Sequence, residues 1–257
     1  RPERPTTAPN SGGTVGTEMT NETPREARLA VLIDADNARA QHIDQLLVEV
    51  AKYGRASVRR AYGDWTSTQL TSWKAELLQH SIQPIQQFSY TTGKNATDSS
   101  LIIDAMDLLH AGNLDGFCLV SSDSDFTRLA ARIREDGRMV YGFGERKTPK
   151  PFVAACDTFI YVENLTTAAP SVNKAATVTT QKLTTDAFLD KLLAEAVNAA
   201  AGDDNWANLG VVGSNLSRLA SDFDSRTWGF AKLKDLFAAH PGYVIQSKPN
   251  EVLVQPK

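Results

Sequence analysis

The chain has little cysteine, no long apolar run and no charge excess, and each shortage removes a class of protein. Two cysteines, Cys118 and Cys156, are too few for a disulfide scaffold. Both sit in apolar stretches and read as reduced, buried thiols, which suit a reducing compartment, so a cytoplasmic location is expected. No stretch approaches the ~20 apolar residues that span a bilayer, so no membrane partner is expected. With 27 basic and 30 acidic residues the net charge is −3, which excludes a globally basic nucleic-acid coat and leaves only local patches. Also missing are a Gly-x-x-x-x-Gly-Lys loop, a Cys-x-x-Cys pair and a His-Glu-x-x-His helix, and the four histidines are scattered. The chain opens on arginine, the expected mark of a fragment or processed product, and residues 1–27 lack the apolar core of a signal peptide.

What remains is a globular composition of 257 residues, 42% of them hydrophobic, enough for one large domain or two ordinary ones. Residues 1–27 hold no aromatic and are rich in Pro, Thr, Gly and Asn, so a disordered tail is expected. Residues 164–182 are Ala/Thr-rich without helical periodicity and read as a linker. These stretches set off two domains, 28–163 and 183–257. Neither is strongly charged: 15 basic against 16 acidic residues in 28–162, and 8 against 9 in 180–257.

The first domain alternates. Continuous apolar runs at Leu29–Ile33 and Phe117–Val120 predict strands buried on both faces, central and adjacent in a sheet. Further strands are expected at Ala56–Ala61, Ile82–Phe88, Arg138–Phe143 and Phe159–Val162, with helices at 40–52, Ser67–Gln79, Thr97–His110 and Asp125–Glu135. That rhythm predicts an α/β sandwich with a mainly parallel sheet.

In such sheets ligands bind beyond the carboxyl ends of strands, where the strand order reverses. The two most apolar strands run directly into Asp34-Ala35-Asp36-Asn37 and Ser121-Ser122-Asp123-Ser124-Asp125-Phe126, and Asp98 opens an intervening helix. One such aspartate is ordinarily a helix cap. Two Asp-x-Asp pairs converging off adjacent strands repel one another unless a cation lies between them. An all-oxygen set suits Mg²⁺ or Mn²⁺ over Zn²⁺.

With IDADN (33–37), KNATD (94–98), VSSDSDF (120–126) and RMVYGFG (138–144) in order, residues 28–162 resemble an NYN domain of the PIN-like ribonuclease superfamily. The departure is Ser122, where the family usually has glycine. The resemblance implies a three-layer PIN-like fold in which Asp34, Asp98, Asp123 and Asp125 hold one or two Mg²⁺ or Mn²⁺ ions. It further implies that Asn37 positions the scissile region and that a water activated by the ion hydrolyses RNA to a 5′-phosphate product. Asp36 stands as an outer member, and Lys94 and Arg128 as backbone contacts.

Residues 184–200 predict an amphipathic helix capped by Thr184 or Thr185, with Phe188, Leu192, Leu193 and Val197 inward. Helices at Leu209–Ala220 and Gly229–His240 follow, then strands at Tyr243–Ile245 and Val252–Val254 around a Lys248-Pro249-Asn250-Glu251 turn. This small α+β winged-helix pattern, with Trp206-Ala207, Leu209-Gly210, the Arg226–Phe230 turn and Lys232–Phe237, resembles an OST-HTH/LOTUS domain. That resemblance implies RNA or a protein as its partner, with Arg226, Lys232 and Lys234 as phosphate contacts. Two other readings stay open: an RNA-binding adaptor that keeps the NYN fold without turnover, and an aspartyl phosphatase, which leaves the second acidic cluster unexplained.

Overall fold

β1 (Arg28–Asp34) is buried from Leu29 to Asp34, and β4 (Gly116–Val120) along its whole length, so both are covered on either face. They pair in parallel, Val31 opposite Cys118, at the centre of a six-stranded sheet of order β3-β2-β1-β4-β5-β6. In this computed structural model, which describes residues 25–88, 96–166, 186–202 and 204–257, the other strands are β2 (Arg55–Gly63), β3 (Gln83–Gln86), β5 (Met139–Gly144) and β6 (Thr158–Tyr161). Every pairing is parallel. The strand order reverses between β1 and β4, which sets the crevice for a ligand at their carboxyl ends.

The alternation of β1 separates two cores. Ala30 and Leu32 face Leu101, Ala105 and Leu109 of α3 (Ala96–His110), Leu129 and Ile133 of α4 (Thr127–Glu135), and Phe152 of α5 (Lys150–Ala155). Leu29, Val31 and Ile33 face Ile43, Leu46 and Val50 of α1 (Ile43–Val50), Trp73 of α2 (Trp73–Gln79), and Leu165 of α6 (Val162–Thr166). The result is a three-layer α/β sandwich. The expected helix at 40–52 divides into a 3-10 turn, Ala40–His42, and α1, and the strand expected to reach Val162 stops at Tyr161 because Val162 opens α6. At five and six residues, α6 and α5 are too short to show a helical period in sequence.

A Cβ on Gly142, in β5, would collide with the Phe159 ring and approach Cys156 Sγ to 2.7 Å. Gly142→Ala is therefore expected to destabilise the domain by about 1–3 kcal/mol, read by denaturant unfolding.

The C-terminal unit packs α7 (Ala187–Asn198), α8 (Leu209–Leu219) and α9 (Leu233–Ala239) against a three-stranded sheet of order β7-β9-β8. Its strands are β7 (Ala207–Asn208), β8 (Tyr243–Lys248) and β9 (Glu251–Pro256). Thr184 and Thr185 lie outside the described residues, and Asp186 caps α7 by accepting from Leu189 N at 3.1 Å. Leu189, Leu192, Leu193, Ala196 and Val197 form its inward face, and Phe188, expected inward, is 65% exposed because it falls one position off that stripe. The third helix begins at Leu233 rather than Gly229, which takes a left-handed φ of 86° and ends a 3-10 turn, Ser225–Trp228.

The two units are docked. Phe159 N, on edge strand β6, donates to Ser221 O at 2.7 Å, and Ser221 Oγ donates to Val153 O at 2.8 Å. Tyr161 Oη donates to Asp222 at 2.8 Å, and Asn164 Nδ2 to Thr227 Oγ1 at 3.0 Å. Arg226 grips Glu49 of α1 through both terminal nitrogens, at 2.9 and 3.1 Å.

Candidate metal centre

β1 delivers Asp34, fully buried, to the switch point. Ser121, the first residue beyond β4, lies beside it because the two strands are neighbours in the sheet. Asp34 Oδ2 accepts from Ser121 Oγ at 2.7 Å and from Asn37 Nδ2 at 2.8 Å. Burial raises the Asp34 pKa, an effect opposed by the Asn37 and Ser121 hydrogen bonds and reinforced by Asp36. Ser121 Oγ also accepts from Asp123 N at 3.1 Å, which ties the loop after β4 to the end of β1.

Asp123 caps the 3-10 turn Ser124–Phe126 by accepting from Asp125 N at 2.9 Å. Asp98 sits in the first turn of α3, buried, as an internal helix residue and not its cap. Carboxylate oxygens of Asp98, Asp123 and Asp125 come within 4.8 Å of one another. Asp34 stands next to this trio without joining it, and its charge is the leading Coulombic influence on Asp98. Burial first, then repulsion from Asp34, Asp123, Asp125 and Asp36, pushes the Asp98 pKa up to about 6. Asp36 accepts from Thr97 Oγ1 at 2.8 Å, so it holds the loop after β1 against the residue preceding Asp98.

Of the expected quartet, three carboxylates cluster and the fourth is held against them by Asn37 and Ser121. The positioning roles of Ser121 and Thr97 have no local sequence signature, since each acts on a residue far along the chain. The donor set fits a divalent cation of the Mg²⁺ or Mn²⁺ type, being all carboxylate oxygen and mutually repulsive without one.

The expected RNA contacts separate. Lys94 lies outside the described residues. Arg128 is open to solvent, its side chain 84% exposed and 3.7 Å from Glu135. Lys232 and Lys234 are exposed at the start of α9. Arg226, expected to meet phosphate, instead faces Glu49 and Asp224: its guanidinium closes the contact between the two units.

A model of the NYN domain matches residues 28–163, and a model of the OST-HTH/LOTUS domain matches residues 183–255. None of the curated proteins is significantly similar to the chain. Among solved structures, a protein of unknown function from Vibrio parahaemolyticus RIMD 2210633 is similar at 18% identity and a TM-score of 0.46, over 54% of this chain and 94% of that one. The chain belongs to the NYN domain family, with an OST-HTH/LOTUS domain following its NYN domain.

Proposed function

We propose that this protein is a Mg²⁺- or Mn²⁺-dependent ribonuclease whose OST-HTH/LOTUS domain selects the RNA. The observation that carries the reading is the convergence of Asp98, Asp123 and Asp125 at the β1/β4 switch point, with Asp34 locked beside them. Asp98, Asp123 and Asp125 would hold the cation, with Asp34 completing the negative field. Bound there, the cation supplies an activated water and neutralises charge growing on the phosphate oxygens. Asn37 and Ser121 fix Asp34, Asp36 and Thr97 fix the start of α3, and Asp123 fixes the turn that carries Asp125. Among the described residues, Lys232, Lys234 and Arg128 of the expected contacts are exposed and can meet the RNA backbone. The near-balanced charge of both domains favours a structured RNA read by shape over nonspecific attraction.

The ends of the product test this. Hydrolysis by water leaves a 5′-phosphate and a 3′-hydroxyl, whereas attack by the RNA's own 2′-hydroxyl leaves a 2′,3′-cyclic phosphate. Ligatable 5′-phosphate ends formed with Mn²⁺ and absent with EDTA support the reading. Cyclic phosphate ends, or cleavage indifferent to chelator, contradict it.

A pH dependence follows from Asp98. Its carboxyl is neutral below about pH 6 and then competes poorly for a cation. Mn²⁺ affinity is expected to fall as pH drops through that value, by up to ~10-fold per unit, read by titration calorimetry at pH 5 and 7.5.

A further inference from the structure

A second group of ligand-bearing side chains lies away from the acidic centre, where α1 meets the end of α2. Asp44 comes from the first turn of α1, Glu76 from α2 and His80 from its C-cap, one helical turn beyond Glu76. His80 Nε2 is 3.0 Å from Asp44 Oδ1 and 3.3 Å from Glu76 Oε2. That nitrogen is shielded from solvent, yet neither carboxylate is placed to accept a hydrogen bond from it. Arg59 donates to the His80 carbonyl at 2.9 Å and pins the backbone under the ring. The His80 Nε2, with no hydrogen-bond partner, sits between two carboxylates that repel one another. A cation between them removes both the orphaned nitrogen and the repulsion.

We propose that Asp44, Glu76 and His80 form a second cation site that takes a first-row transition ion of the Zn²⁺ class. The spacing supports this choice. Ligand atoms about 2.0–2.1 Å from a tetrahedral ion stand ~3.3 Å apart, close to the separations His80 already keeps. The chemistry differs from that of the acidic centre. One imidazole nitrogen with two carboxylate oxygens suits Zn²⁺ better than Mg²⁺, and three protein ligands leave a fourth position for water. The two carboxylates match the charge of a dication. An ion here would clip α1 to α2 on one layer of the sandwich, so binding would appear as added stability. The site stands independently of whether the protein cuts RNA.

The test uses the full chain carrying Asp98→Asn and Asp123→Asn, so that the acidic centre takes no ion. Zn²⁺ uptake is measured by competition with a chromophoric chelator, in excess Mg²⁺, and melting is followed in parallel. One equivalent of Zn²⁺ is expected, with a rise in Tm. His80→Gln and, separately, Asp44→Asn should each weaken uptake by at least about 10-fold and cancel the rise. Asp44, with a side chain 60% exposed, is replaceable without loss of fold even if His80 is not. No Zn²⁺ uptake in the parent, or uptake unchanged in the Asp44 and His80 variants, would overturn the proposal and leave the cluster a plain histidine ion pair.

Discussion

Replacing Asp98 or Asp123 with asparagine is expected to lower cation-dependent RNA cleavage by at least about 100-fold while leaving the fold as stable as before, or more so. The activity term comes from losing a charged ligand at a centre where a cation contributes several kcal/mol, and each 1.36 kcal/mol is tenfold in rate. The stability term runs the other way. A carboxyl whose folded pKa lies above its unfolded value weighs against folding at neutral pH, because the charged form is disfavoured in the native state. Asp98, with its pKa pushed up to about 6, is in that position, so a neutral amide there relieves burial and repulsion. Single-turnover cleavage and cation-free melting, measured on the same preparations, separate the two terms. A Tm lowered by several degrees alongside the lost activity would show the carboxylates to be structural. Asp34 is a different case. It is fully buried and accepts two hydrogen bonds on one oxygen, so an amide there disturbs packing as well as charge.

Arg226→Ala is expected to undo the docking of the two units. Glu49 is buried on α1, and its carboxylate takes both terminal nitrogens of Arg226. Burial raises the Glu49 pKa, but hydrogen bonds from Arg226 and Lys52 outweigh it and leave the group below its ordinary value. Removing one partner of a buried pair costs about 3–5 kcal/mol. Lys52 remains 2.8 Å from Glu49 and Arg226 is a quarter exposed, so about 2–3 kcal/mol is the expected loss here. Solution scattering should report a more extended particle. The Glu49→Arg/Arg226→Glu exchange should recover part of the difference, as a direct pair requires. The sign with pH follows from the lowered pKa: the contribution is complete above the ordinary glutamate range and is lost as pH falls below it. An Arg226→Ala protein as compact and stable as the wild type would show that the neighbouring Ser221, Asp222 and Thr227 contacts suffice alone.

The sheet was legible because its two central strands are apolar without interruption, and such runs must be covered on both faces. Their adjacency in turn made the loops after them the place to look, and Asp34, Asp123 and Asp125 follow from that. What sequence could not show is which carboxylates face one another. Asp34 is held by Ser121, 87 positions away, and stands beside the trio. Arg226 reads in sequence as an exposed turn cation, yet its partner Glu49 lies 177 residues earlier, on the other unit. Phe188 shows the limit of periodicity, since one position of phase on α7 decides between core and solvent.

The account rests most directly on whether this protein cuts RNA with a cation at the acidic centre. The measurement is cleavage of end-labelled structured and unstructured RNAs by the wild type and by Asp98→Asn, each with Mn²⁺, Mg²⁺ or EDTA. The expected result is cleavage by the wild type in Mn²⁺ or Mg²⁺, none in EDTA, and loss in the variant. If both proteins bind RNA and neither cuts it under any condition, the carboxylates are an inherited scaffold and the protein is an RNA-binding adaptor.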